Sequence, residues 1–405
     1  MTIVHYILKQ MPSVRQPQAQ FLDILFATIL ALRGRVTFRN LSRYSAYTER
    51  TFARQFRASF DWAEFHHLTC QEVVSEQDEW LAVQDASFIP KSGKQTFGLG
   101  QFWDGCHSQT ARGLEISTLA LVNVTRRYAL TVAVAQTPPG TSAEAAPEAS
   151  RMAFYARQVQ LHRARLPKWV KYLAVDGAYA KKGYVEAVSG AGLHVVTRLR
   201  SDADCRFVYE GGHPAGQRGR PRKYDGKVQW HDLSRFTYVG TLPEEATVHC
   251  YTAVVWHQSL KRQVRVVVLV QRRAGQAERQ VILASTDVKL AAQRVVRYYR
   301  ARFQIEFLFR DAKQYTGLGD CQARDEKALD YHFNAAFATL NVARMEEVQG
   351  AAGKTPGVFS MARRKQVKFN EGLVEVIISK LEIEPTWIKS HPRYEEIKTY
   401  GAIAP

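Results

Sequence analysis

At 405 residues with 46% hydrophobic side chains, the chain is longer than one core usually fills and apolar enough to bury a sizeable interior, so two or three structural units are expected. A formal net charge of +18, from 56 Lys and Arg against 38 Asp and Glu, calls for a polyanionic partner, nucleic acid first of all. A membrane fits less well: there is no basic amphipathic helix with a long apolar face, and the longest apolar run, Phe21 to Leu32, carries Asp23 and is too short to span a bilayer.

The N-terminus, MTIVHYILKQMPSVRQ, shows no basic region followed by an apolar stretch and a small-residue cleavage site, which predicts a cytoplasmic, nucleoid-associated protein. The five cysteines, Cys70, Cys106, Cys205, Cys250 and Cys321, are scattered and odd in number, against a disulfide framework or a paired zinc motif.

Residues 1–75 read as a helical unit. Thr37 to Tyr44, a turn through Ser45 to Tyr47, and Thr48 to Arg57 have the lengths of a helix-turn-helix, with Thr48 as N-cap of the second helix. That helix turns Glu49, Arg50, Arg54, Gln55 and Arg57 outward and Phe52 and Phe56 inward, as a helix lying in a major groove would; a plain helical hairpin has the same pattern.

From residue 76 to 345 the texture is α/β. Trp80–Gln84, Gly98–Trp103 and Glu115–Val124 read as three consecutive strands. A Pro/Gly/Ala-rich linker, Thr137 to Pro147, leads to a helix over 150–166, a buried strand at Tyr172–Val175, a helix after Ala180 and a strand at His194–Leu199. About residues 200–279 form an all-β insertion, with Thr247–Trp256 and Gln263–Gln271 as a hairpin. Its Arg218-Gly219-Arg220-Pro221-Arg222-Lys223 has the core of an AT-hook, whose arginines enter a narrow minor groove; a basic loop neutralising phosphates is the plainer alternative. Residues 346–405 form a mixed helical tail, assigned to dimerisation.

Two apolar strands end in an acid, Leu81-Ala82-Val83-Gln84-Asp85 and Leu173-Ala174-Val175-Asp176, and a carboxylate at a strand end sits on a rigid element, as a metal ligand must. After the strand Gln280–Ser285 comes YYRARFQIEFLFRDAKQ (298–314), read as one helix. At roughly 100° per residue, Tyr299, Arg302, Glu306 and Lys313 fall within about 60° of one face, a polar stripe separate from the wet face formed by Arg300, Gln304 and Asp311. Three carboxylates without a soft ligand select Mg²⁺ or Mn²⁺, and a pair of such ions about 3.5–4 Å apart can activate a nucleophile and stabilise the leaving oxygen of one phosphodiester. Asp287 is a rival acid, placed where a helix N-cap belongs.

Tyr299-x2-Arg302-x3-Glu306-x6-Lys313 resembles the Tyr-Arg-Glu-Lys signature of the bacterial cut-and-paste DDE transposases of insertion sequence family four, and the text around Asp85 (DASFIPKSGKQTFGLGQFW) looks like the same family. The resemblance spans roughly residues 80–345. It implies an RNase H-like core preceded by a helical DNA-binding domain, with Asp85, Asp176 and Glu306 holding two metal ions. It also implies that Arg302 and Lys313 hold phosphates of the DNA end and that Tyr299 contacts the backbone or an end base. The partners implied are terminal inverted repeats, target DNA and a second copy of the chain in the DNA complex, with a hairpin intermediate at the cut end. Where relatives carry an aromatic residue that stacks on a flipped base, this chain has Arg279, Gln280 and Val281; Trp256 or Trp230 in the insertion would have to substitute. The alternatives are an RNase H-superfamily DNA nuclease that never joins, or a DNA-binding regulator derived from a transposase.

Overall fold

The computed structural model describes residues 2–140, 150–211, 221–272, 277–350 and 359–403. Among them, twelve strands join into a single mixed sheet. β1 (Trp80–Pro90) lies antiparallel to β3 (Gln109–Asn123), which pairs with β2 (Gly100–Asp104) near its start and with β4 (Tyr128–Gln136) along the rest. On its other side β1 runs parallel to β5 (Tyr172–Ala174), and β5 parallel to β6 (His194–Leu199). Parallel neighbours need long crossovers, here supplied by α6 (Arg151–His162) and α7 (Lys182–Gly190), which share one face of the sheet. Beyond β6 the sheet continues through β12 (Arg279–Ser285), β11 (Arg262–Gln271), β10 (Glu245–His257), β7 (Cys205–Val208) and β8 (Tyr224–Lys227), while β9 (Thr237–Leu242) pairs with β10. The stretch read as a β insertion therefore extends the same sheet.

The N-terminal helices are α1 (Ile3–Lys9), α2 (Gln16–Ala31), α3 (Phe38–Arg43), α4 (Glu49–Gln55) and α5 (Trp62–Gln71). Thr48 caps α4 by accepting the Thr51 amide, and Phe52 and Phe56 are fully buried, as the pattern predicts. C-terminal to β12 come α8 (Ala292–Ala301), α9 (Gln304–Tyr315), α10 (Glu326–Gly350), α11 (Met361–Lys380), α12 (Pro385–Lys389) and α13 (Tyr394–Lys398). These two helical groups share a core: the ring of Tyr331 in α10 packs 4.6 Å from Phe56 and 4.8 Å from Trp62. Lys365 of α11 reaches the backbone oxygens of Ile29 and Tyr315 at 2.9 and 2.8 Å. No helix among the described residues is long and apolar enough to cross a membrane.

Three elements depart from the sequence reading. β1 does not end at Asp85 but runs on, paired with β3, to Pro90. β4 is an additional strand, reached through a turn at Val124–Arg127 in which Arg127 takes φ 58° without a glycine. Segment 298–314 is not one helix: α8 ends at Ala301 and α9 starts at Gln304. Arg302 and Phe303 keep right-handed helical dihedrals, but the bonds across them tighten to three-residue spacing, Ile305 to the Arg302 carbonyl at 3.1 Å and Glu306 to that of Phe303 at 3.0 Å.

β4 also carries a register shift opposite Leu119 and Ala120. Such a bulge leaves backbone groups without ladder partners. The buried Asn341 of α10 supplies them, its Oδ1 accepting from the Thr131 amide at 2.9 Å and its Nδ2 donating to the Thr131 carbonyl at 2.8 Å. Asn341→Leu strands the Thr131 amide and leaves the Thr131 carbonyl only the weak Cys70 thiol donor at 3.4 Å, and is expected to cost about 2–3 kcal/mol in urea unfolding; a loss below about 0.5 kcal/mol would show that the bulge finds other partners.

Candidate active site

The parallel pairing of β1 with β5 sets the site. Val83 lies opposite Ala174, so the next residues pointing to the same face, Asp85 and Asp176, come side by side two positions on. Behind them the opposite face is locked by Gln84, which is completely buried. Its amide donates to Tyr155 O at 2.9 Å and Gln158 Oε1 at 2.8 Å, and accepts from the Tyr184 hydroxyl at 2.6 Å. Asp176 lies two residues past the end of β5, and its carbonyl accepts from Thr197 Oγ1 on β6 at 3.0 Å.

The third acid arrives on α9. α8 is anchored to the start of β1 by Glu79, which takes Arg294 at 2.9 Å, Arg297 at 3.0 Å and the Tyr298 hydroxyl at 2.8 Å. The tight step between α8 and α9 then directs Arg302 inward: its guanidinium meets Asp85 Oδ2 at 3.0 Å and Glu306 Oε1 at 2.8 Å. The Arg302 side chain is only 13% exposed, and its Nε is buried without a partner. Burial pushes the Asp85 carboxyl up to about 6; Arg302 and the Ala86 amide pull it down, while Asp176 and Glu306 add to the rise. The three acids thus sense one another. Tyr299 stacks against Arg302, 5.7 Å from ring centre to guanidinium, and burial raises its phenol, with Asp176 and Arg198 also acting on it.

The expected stripe is therefore divided. Tyr299, Arg302 and Glu306 surround the Asp85–Asp176 pair, whereas Lys313 lies about 10 Å further along α9, where burial lowers its ammonium pKa and the charges of Cys106 and Asp104 near the β2–β3 turn act against that. Asp287 is not a helix cap: it accepts from Tyr172 Oη at 2.7 Å and the Lys289 amide at 2.9 Å in the turn before α8, whose N-cap is Ala291. Trp230 is buried, its Nε1 donating to Ala203 O at 3.2 Å. Trp256 is half-buried against Tyr224, ring centres 6.1 Å apart. Trp230 is thus taken up in the sheet's packing, whereas Trp256 keeps part of its surface exposed and its Nε1 has no partner. Arg218 and Arg220 lie outside the described residues, as does most of the Thr137–Pro147 linker. Arg222 is paired with Asp225 at 2.6 Å, and Lys223 is exposed. Arg50 and Arg54 are exposed on α4, while Arg57 is tied to Asp325 at 3.1 Å.

The sequence reading missed a cavity of about 550 Å³ on the open side of Asp176, lined by Lys181, Arg198, Arg200 and Gln280. Its cations come from a helix start and the end of β6, too far apart in sequence to form a visible cluster. The donor set fits a divalent metal: all the ligands are hard oxygens, and a cation, the Arg302 guanidinium, already stands between two of them. With that guanidinium interposed, no three acidic, His or Cys side chains among the described residues are grouped as a ready metal cage.

The family described as Transposase DDE domain matches residues 83–342, so the chain belongs to that family, which implies a nuclease and transferase and whose members generally use divalent metal ions. No curated protein matches significantly. Among solved structures the chain is similar to the piggyBac transposase in a synaptic complex with hairpin DNA, at 12% identity over 97% of this chain and 80% of that one, with a TM-score of 0.44.

Asp85 holds its proton more tightly in the fold than in the unfolded chain, so its contribution favours folding below about 3.8 and is lost as pH rises through about 6. Arg302→Gln removes the opposing charge and should raise the Asp85 pKa further. Its destabilisation is therefore expected to be larger at pH 8, at about 2–4 kcal/mol, than at pH 5, where Asp85 is neutral; equal losses at both pH values would show that the bridge does not control Asp85.

Proposed function

We propose that the chain is a cut-and-paste DNA transposase of insertion sequence family four with an RNase H-like core, in which Asp85, Asp176 and Glu306 are the catalytic, metal-holding carboxylates. The observation that carries this reading is the pair of acids side by side on parallel β1 and β5, with Glu306 linked to Asp85 through Arg302. The order β4, β3, β1, β5, β6, with the first three antiparallel and the last three parallel, supports the RNase H-like assignment. Strands β7 to β11 between β6 and β12 support a β insertion in that core.

A pair of Mg²⁺ or Mn²⁺ ions held by the three carboxylates would supply the charge that activates water or a 3′-hydroxyl and stabilises the leaving oxygen. Asp85 must give up its proton for this, which its raised pKa delays until about pH 6. Arg302, turned from the carboxylates toward a phosphate, holds the DNA end with Tyr299 beside it. Lys181, Arg198 and Arg200 line the cavity next to Asp176 and cradle backbone phosphates. Arg50 and Arg54 on α4 bind the terminal repeats, with Arg222 and Lys223 of the insertion flanking the duplex. Two copies of the chain pair two ends, the cut passes through a hairpin, and the joined product enters target DNA.

The test is an end-cleavage assay that resolves nicked, hairpin and blunt products from DNA carrying the inverted repeats that flank the gene. Wild-type protein with Mg²⁺ or Mn²⁺ should cut, and Glu306→Gln should cut at least about 100-fold more slowly while retaining DNA affinity. Normal cutting by that variant removes Glu306 from the site. Mn²⁺ affinity, followed by electron paramagnetic resonance, should fall roughly tenfold per pH unit below about 6 and level off above it, because proton and metal compete for Asp85; a flat profile from pH 5 to 7 excludes Asp85 as a ligand.

A further inference from the structure

Alternation along β1 and β3 sorts side chains between two faces. Gln84 and Ser117 point to α6, where both meet Gln158; Asp85 points the other way, to Arg302. Followed along β3 and across to β2, the α6 face receives Glu115, which accepts from the Tyr155 hydroxyl, and Phe102, which is fully buried with the Arg151 guanidinium 4.4 Å from its ring centre. The Asp85 face receives Gln101, Trp103, Thr110 and Arg112. All four are exposed, Trp103 by 59%.

These residues sit on a two-stranded ribbon. The β1–β3 pairing ends at Pro90 opposite Gly113, while β2 stays paired with β3 out to Asp104 opposite Gln109, beyond the carboxyl end of β1. The ribbon is braced. A Cβ on Gly113 would stand 2.5 Å from Ile89 O, so only glycine allows β3 to pass β1 this closely. At the tip the Asp104 carboxylate accepts from the Cys106 amide at 3.0 Å and His107 Nδ1 at 2.7 Å, which closes the turn. An indole held bare on so fixed an element is surface the fold itself does not use.

Its surroundings choose the partner. Gln101, Thr110 and Arg112 leave Trp103 without apolar neighbours on that face, which does not suit a protein interface, whose core is a contiguous apolar patch. One aromatic plane among hydrogen-bond donors on a chain of net charge +18 suits DNA. A two-stranded ribbon also fits a groove of the duplex. We infer that the β2–β3 ribbon is a second DNA-contacting arm, with Trp103 against a base or sugar and Arg112, Gln101 and Thr110 on phosphates. It rests on the DNA-acting function proposed above. Eight residues of β3 separate the Asp85 and Trp103 levels, about 26 Å, which places the contact roughly seven to eight base pairs from the bond that is cut.

Trp103 and Trp387 are the exposed tryptophans among the described residues, so a Trp387→Phe background leaves Trp103 as the main acrylamide-accessible emitter. A duplex of about 40 base pairs, added in EDTA so that nothing is cut, should protect that emission, and adding Trp103→Phe should remove the accessible component. Trp103→Ala should bind this duplex about tenfold more weakly, and Arg112→Gln should lower the salt dependence of binding by about one phosphate contact. Unprotected Trp103 emission with wild-type affinity in Trp103→Ala, in a protein that does bind DNA, overturns the arm and leaves the functional reading intact. A wild-type chain that binds no duplex overturns both.

Discussion

Three carboxylates brought to one face of a sheet repel one another, and the architecture around them is what makes their company tolerable. The internal answer is Arg302, held between Asp85 and Glu306 in a site where both Asp85 and the arginine are largely removed from water. In low dielectric such a cation is worth far more than at the surface, yet the exchange is incomplete. Asp85 remains shifted up to about 6 despite it, and Arg302 Nε has no partner. The bridge therefore compensates the acids without saturating the guanidinium.

Rigid elements on both sides of the sheet hold that arrangement. Behind Asp85, Gln84 fills its bonding capacity with α6 and α7, so β1 cannot rotate or slip. At the start of β1, Glu79 binds two arginines and a tyrosine of α8 and fixes where that helix ends. The tight step into α9 follows from these anchors: a continuous helix would carry Arg302 and Glu306 past the acids on a straight course.

Much of this was legible in the sequence where local chemistry is decisive. The apolar run leading to Asp176, the Thr48 cap and the outward arginines of α4 are short-range patterns, and the structure has them, whereas Asp85 stands mid-strand because β1 runs on to Pro90. β4 escaped notice because its hairpin turn, Val124-Thr125-Arg126-Arg127, contains no glycine or proline. The left-handed residue is an arginine, supported by the Asn123 side chain, which accepts from the Arg126 amide at 2.7 Å. Asn123 was the available signal, since that side chain commonly closes such turns. The break between α8 and α9 left no trace either, because Arg302 and Phe303 stay in the helical region and neither is a helix breaker. The cavity of Lys181, Arg198 and Arg200 depends on the pairing of β5 with β6 and of β6 with β12, which no local pattern encodes.

Lys313 shows what a helical wheel leaves out. An angular sector fixes which way a side chain points but not how far along the axis it sits, and seven residues of α9 carry Lys313 away from the acids toward Asp104 and Cys106 of the β2–β3 ribbon. A duplex lying along that face would meet Arg302 and Tyr299 at the acids, then Lys313, then the ribbon. The spacing of the motif reads more simply as a ruler along the nucleic acid than as a cluster around one phosphate. On the proposed reading the polar stripe and the exposed ribbon would be successive parts of one surface, and the sheet that aligns Asp85 with Asp176 would also set the direction of the duplex.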